Sequence, residues 1–200
     1  MDRFPLLQEI DVKIPKTFWT HLEKDFDPHD GVEFVRVFVQ DAMSTEENAL
    51  DIKMPLLLSC LSMKFPNIRN FSLTCLQRYS RFCINIFRDI CYFFPYLKKL
   101  RFNGSVDFPM ISGTHMNVIH DCLEAGWSIQ NIPRRTGSIV DLTELETLHF
   151  GSDAHITDDM IKYCLSLMPN LNVLVFHGNP HVSVQVVEDY LGHLKKIQIY

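Results

Sequence analysis

Seven short stretches of this chain share one pattern: L-x-x-L-x-L, with an apolar residue at its first, fourth and sixth positions. They are Leu7-Ile10-Val12, Phe34-Val37-Val39, Ile68-Phe71-Leu73, Leu97-Leu100-Phe102, Leu145-Leu148-Phe150, Leu171-Leu174-Phe176 and Leu194-Ile197-Ile199. All 21 positions hold Leu, Ile, Val or Phe, which make up about a third of the chain. The first positions lie 27, 34, 29, 48, 26 and 23 residues apart. Three copies share more than the pattern: 65–73, 94–102 and 168–176 each carry a proline just before the apolar series. Pro5, Pro66, Pro95 and Pro169 stop an incoming helix and set an extended backbone.

Between these stretches the apolar residues recur with a helical period. In 156–167, Thr157 stands where a helix cap belongs, Asp158 and Asp159 follow in the first turn, and Met160, Ile161, Cys164 and Leu165 line one side. Ser80–Phe93, Glu46–Met63, Thr114–Ala125 and Ser183–Leu191 read as helices too, and Pro15–Phe26 more weakly. One strand and one helix cannot bury their own apolar faces, but stacked copies can. Strands separated by helices pair in parallel. The sequence therefore predicts an α/β solenoid of about seven repeats, one domain over 1–200, with a longer insertion at about 103–141. The stretch 126–138 is expected to be a mobile rim loop, and 129–132 or 139–142 a degenerate eighth strand.

The run Leu145-x-x-Leu148-x-Phe150-x-x-Asp153-x-x-Ile156-Thr157-Asp158, followed by a helix and Met168-Pro169-Asn170-Leu171, resembles the cysteine-containing subclass of the leucine-rich-repeat family. The resemblance implies a horseshoe arc, with one parallel sheet on the concave face and helices on the convex face. It covers nearly the whole chain. Where extracellular-type repeats carry asparagine, this chain has Pro15, Ala42, Leu76, Ser105, Asp153 and Asn179, which points to the intracellular kind. In the family, repeats of this subclass most often follow an F-box and hold the substrate of a ubiquitin ligase. A Skp adaptor and a cullin enter only by that analogy, because no F-box is visible here. The competing expectation is a non-ligase scaffold, such as a GTPase regulator or a nuclear adaptor. The abrupt ends suit a piece of a longer protein.

Composition and motifs narrow the rest. An apolar share of 46% with 15 Phe excludes a disordered chain, and a net charge of -5 gives no general attraction to nucleic acid or anionic membrane. Nothing resembles a signal peptide or a membrane span. Six cysteines without a C-x-x-C pair read as buried thiols in a reducing compartment, cytoplasmic or nuclear. No nucleophile, metal or phosphate-loop motif is present, so an enzyme, a cofactor and a metal are not expected. His177 and His181 fall in a turn, His115 and His120 on different sides of a helix, and the Phe series at 82, 87, 93, 94, 102, 108, 150 and 176 reads as core.

Protein binding remains. Residues between the apolar positions of each strand point away from the core. The outward set contains Arg36 and Phe38 with Val35, then Arg69, Lys98, Lys99, Arg101, His149, Val173, Val175, Lys195 and Lys196. Arg36, Arg69, Lys98, Lys99 and Arg101 are expected to form one basic patch that takes an acidic or phosphorylated protein segment.

Overall fold

The structure is a computed structural model, and it describes residues 8–14, 27–39, 49–75, 86–134, 136–177 and 182–200. Leu7, the stretch 15–26, Cys83, Arg135 and His181 lie outside the described residues. The seven repeats supply seven strands: β1 Glu9–Ile14, β2 Phe34–Val39, β3 Asn70–Cys75, β4 Lys99–Asn103, β5 Thr147–Phe150, β6 Val173–Phe176 and β7 Lys196–Ile199. All pair in parallel in the order of the sequence, β1-β2-β3-β4-β5-β6-β7. Every connection thus steps one strand in the same direction.

Helices α1 Ala49–Lys64, α2 Ile86–Phe93, α3 Phe108–Ser112, α4 Met116–Glu124, α5 Asp158–Tyr163 and α6 Val184–Leu191 fill the connections. Local chemistry fixes their ends. The side chains of Asp107, Thr157 and Ser183 accept the backbone N–H groups of Met110, Met160 and Val186, three residues on. Gly113 ends α3 in the left-handed conformation, with its N–H on the Pro109 carbonyl.

One continuous apolar core lies between the helices and one face of the sheet. Leu97, Leu100 and Phe102 are buried in it, as are Leu145, Leu148 and Phe150. The buried phenylalanines touch across repeats: Phe87 lies 4.9 Å from Phe102 and 6.4 Å from Phe150, and Phe71 4.9 Å from Phe94. Each such ring contributes about 1.5–3 kcal/mol by leaving water, and close aromatic pairs somewhat more.

A recurring backbone bond marks the start of the strands. The Gln8 carbonyl accepts the N–H groups of Glu33 and Phe34, and the Glu33 carbonyl those of Arg69 and Asn70. The carbonyls of Arg69, Lys98 and Glu146 continue the same two-donor pattern. This series corrects the register expected for the second repeat. Val35, not Val37, stands opposite Ile10 and Phe71, so the repeat runs Val32-x-x-Val35-x-Val37. Val35 is fully buried instead of pointing outward, and Phe34 takes its place on the outer face.

Two short turns and several long-range hydrogen bonds occupy the long interval between β4 and β5. Ile129–Asn131 and Ile139–Asp141 are single 3-10 turns, not strand. Ile132, Ser138, Ile139 and Leu142 are buried. Ser138 donates to the Ile111 carbonyl at 3.0 Å and forms a capping box with Asp141, while Cys91 donates to the Ser138 carbonyl. Gly137 has φ +91, and a Cβ there would lie 2.6 Å from the Arg88 backbone. Arg134 donates to the Tyr163 carbonyl at 2.9 Å. The described part of 126–138 is therefore tied to the core along its second half.

Candidate binding surface

The face of the sheet opposite the core carries rows of side chains fixed by the strand register. One row runs Glu9, Phe34, Asn70, Lys99, Thr147, Val173, Lys196. The next runs Asp11, Arg36, Ser72, Arg101, His149, Val175, Gln198. Gln8, Glu33, Arg69, Lys98, Glu146, Asn172 and Lys195 stand at the strand starts. Neighbouring strands lie about 4.8 Å apart, so adjacent members of a row touch.

These contacts split the expected basic patch. Arg36 reaches back to β1, with Nη2 at 3.2 Å from Glu9 and Nη1 at 3.1 Å from Asp11. Its guanidinium also lies over the Phe34 ring at 5.0 Å. Arg69 pairs with Glu144 at 3.6 Å, donates to the Tyr96 carbonyl at 3.0 Å and sits over the Tyr96 ring. Lys98 pairs with Glu146 at 3.7 Å. These pairs are solvated and add little stability, but they neutralise their cations. Lys99 and Arg101, neighbours on the outer face of β4, have no ion pair among the described residues. The patch of five cations is therefore a centre of two.

His149 stands beside Arg101 on β5. Burial, then the charges of Arg101 and His177, hold its pKa below the ordinary histidine value. It is a neutral imidazole at pH 7. Ser72, between Arg36 and Arg101, is only 3% exposed. Val173 is half-buried and Val175 is 8% exposed, so of the two only Val173 offers apolar surface to a partner. Phe38 is half-buried opposite Thr74. Lys195 and Lys196 are exposed on or just before β7, separated from Lys99 and Arg101 by β5 and β6. Phe34 is the surface residue that the sequence reading missed. The two-donor backbone pattern that reveals it leaves no trace in side-chain type.

A cleft of about 270 Å³ beyond β4 and β5 is lined by Val106, Phe108, Met110, Met160, His155 and Asp107 among others. Asp107 is occupied in capping α3. Burial raises the pKa of Cys91 and pushes that of Cys164 up to about 12, so neither is a nucleophile at pH 7. Among the described residues no group of three His, Cys, Asp or Glu is placed to hold a metal ion, and no helix is long and apolar enough to cross a membrane.

No family model matches this chain, and neither does any curated protein or solved structure.

Proposed function

We propose that the chain is a leucine-rich-repeat solenoid whose open sheet face holds a segment of a partner protein, with Lys99 and Arg101 at the centre of the contact. The observation that carries this reading is that, among the described residues, those two cations have no ion pair on a face where Arg36, Arg69 and Lys98 each have a carboxylate. The one-step parallel strand order supports the solenoid, because an ordinary doubly wound sheet reverses its order and covers both faces. The partner segment is acidic or phosphorylated, since either supplies the missing charge. The resemblance of 145–171 to ligase-associated repeats makes the role that of a substrate receptor in the cytoplasm or nucleus, binding and not catalysing. The buried thiols of Cys91 and Cys164 fit that compartment.

Selection of a random peptide display library on the folded chain tests the binding reading. The wild type enriches acid-containing peptides, and Lys99→Glu with Arg101→Glu abolishes their capture. Equal capture by the reversed variant would refute the assignment. For the ligase role, the deciding observation is a reading frame ahead of residue 1 that encodes an F-box.

A further inference from the structure

Among the described residues Lys99 and Arg101 have no carboxylate partner, and their neighbours across the sheet supply none. Lys99 lies between Asn70 and Thr147, and Arg101 between Ser72 and His149. All four neighbours are neutral at pH 7, and all four carry a hydrogen-bonding group. Glu144 and Glu146, just before β5, are taken by Arg69 and Lys98. The result is two positive charges two residues apart on one strand, about 7 Å between Cα atoms, with neutral polar groups on both sides.

A carboxylate brings one charge and two oxygens, and would leave one of these cations unmatched. A phosphate monoester brings close to two charges and three acceptor oxygens. The same row also holds apolar residues on either side: Phe34 two strands from Lys99 in one direction and Val173 two strands away in the other. Each separation is about 9.6 Å, and an extended chain covers it in about three residues.

We infer, building on the reading that the open face holds a protein segment, that the segment is phosphorylated on serine or threonine and carries apolar residues three positions before and three after that site. The phosphate lies between Lys99 and Arg101, and the apolar side chains rest on Phe34 and Val173. RNA fits less well. It needs a continuous basic track, whereas the ion pairs of Arg36, Arg69 and Lys98 with Glu9, Asp11, Glu144 and Glu146 interrupt one here.

His149 supplies an internal reporter. The charged or titratable groups facing it are Arg101 from β4 and His177 just after β6, while Val175 of β6 is neutral. A phosphate at Arg101 offsets one of the charges that depress the imidazole, so binding raises its proton affinity.

Fluorescence anisotropy with synthetic peptides tests the inference. The probe is an extended peptide with leucine at the third position on each side of phosphoserine. Its comparisons carry serine or glutamate at the centre, or leucines moved next to the centre, and a short oligouridylate serves as the nucleic-acid probe. The phosphopeptide should bind at least about tenfold more tightly than the serine and glutamate forms, as expected for charge-assisted hydrogen bonds. Lys99→Gln and Arg101→Gln should each lose about tenfold, and moving the leucines should also weaken binding. In wild type, but not in Arg101→Gln, the phosphopeptide should move the His149 imidazole titration upward by NMR. Equal binding of the glutamate and phosphoserine peptides would overturn the inference yet leave an acidic-segment reader standing. So would failure of every designed peptide while display-selected peptides still bind. Tighter binding of oligouridylate, or phosphopeptide binding unchanged in Arg101→Gln, would overturn it outright.

Discussion

Phe34 and Val35 are adjacent and both apolar, yet they face opposite sides of the sheet. Val35 is buried, and Phe34 carries Arg36 on the outer face. The second repeat is ambiguous in sequence because Val32-Val35-Val37 and Phe34-Val37-Val39 both fit the pattern. A shift of two residues leaves Arg36 outward and Val37 inward in both, and changes only Phe34 and Val35. Val35→Asp should therefore unfold or severely destabilise the protein, because it buries an unpaired charge. Phe34→Asp, on the outer face, should cost far less. Thermal melts of the two variants check this, and the reverse order of damage would restore the other register. Asp89 is a second single-residue case. It is buried in α2, and its Oδ1 accepts from Arg88 at 3.1 Å. Burial raises its pKa above 3.8 and outweighs the two lowering effects of Arg88. The folded state therefore holds this proton more tightly than the unfolded state, so stability falls as pH rises through 3.8 toward the folded value. Asp89→Asn should raise the melting temperature at pH 7, with the gain vanishing below about pH 4. An Asn variant less stable at pH 7 would show that the Arg88 contact dominates.

Between residue and fold, the strands and caps were the legible part, because each is specified within a few residues. The apolar triplets 97–102, 145–150 and 171–176 are buried as their pattern requires, and Thr157 and Ser183 cap the helices that follow them. The connection from β4 to β5 was not legible. Its Gly, Ser, Pro and Arg content is that of a loop, whereas its order depends on groups far away in sequence: the Ile111 carbonyl, 27 residues from Ser138, and the Tyr163 carbonyl, 29 from Arg134. Another device hid in plain view. Asn67 and Asn170, each after a proline and before a strand, donate to the carbonyls of Asp30 and Thr143 one repeat back. They staple successive repeats at the turn ahead of the strand. Ser138→Ala leaves the Ile111 carbonyl buried without its donor and should cost about 1–3 kcal/mol. Urea denaturation measures this, and a change below about 0.5 kcal/mol, the range of ordinary surface substitutions, would mean that the segment is not anchored there.

At the scale of the whole molecule, repetition does two things at once. It hides one row of each strand in a common core, and it lines up the other rows into a continuous surface where one residue per repeat sets the local charge. The clustering of cations on that surface was visible in the sequence. Their pairing was not, because Arg36 finds Glu9 and Asp11 across 27 and 25 residues, and Arg69 finds Glu144 across a whole intervening repeat. The ends differ from the middle. Ile10 and Val12 are only half-buried, and Ile199 is 49% exposed, whereas the matching residues of β3 to β6 are buried. Burial therefore concentrates in the central repeats, and Lys99 and Arg101 of β4 stand over the best-buried part of the sheet. What remains to be measured is where a partner lands. Chemical-shift mapping of the labelled protein with display-selected acidic peptides measures that directly. The shifts should concentrate on Asn70, Ser72, Lys99, Arg101, Thr147 and His149. Shifts confined to the helical side, around Tyr92, Val118 or Trp127, would contradict it.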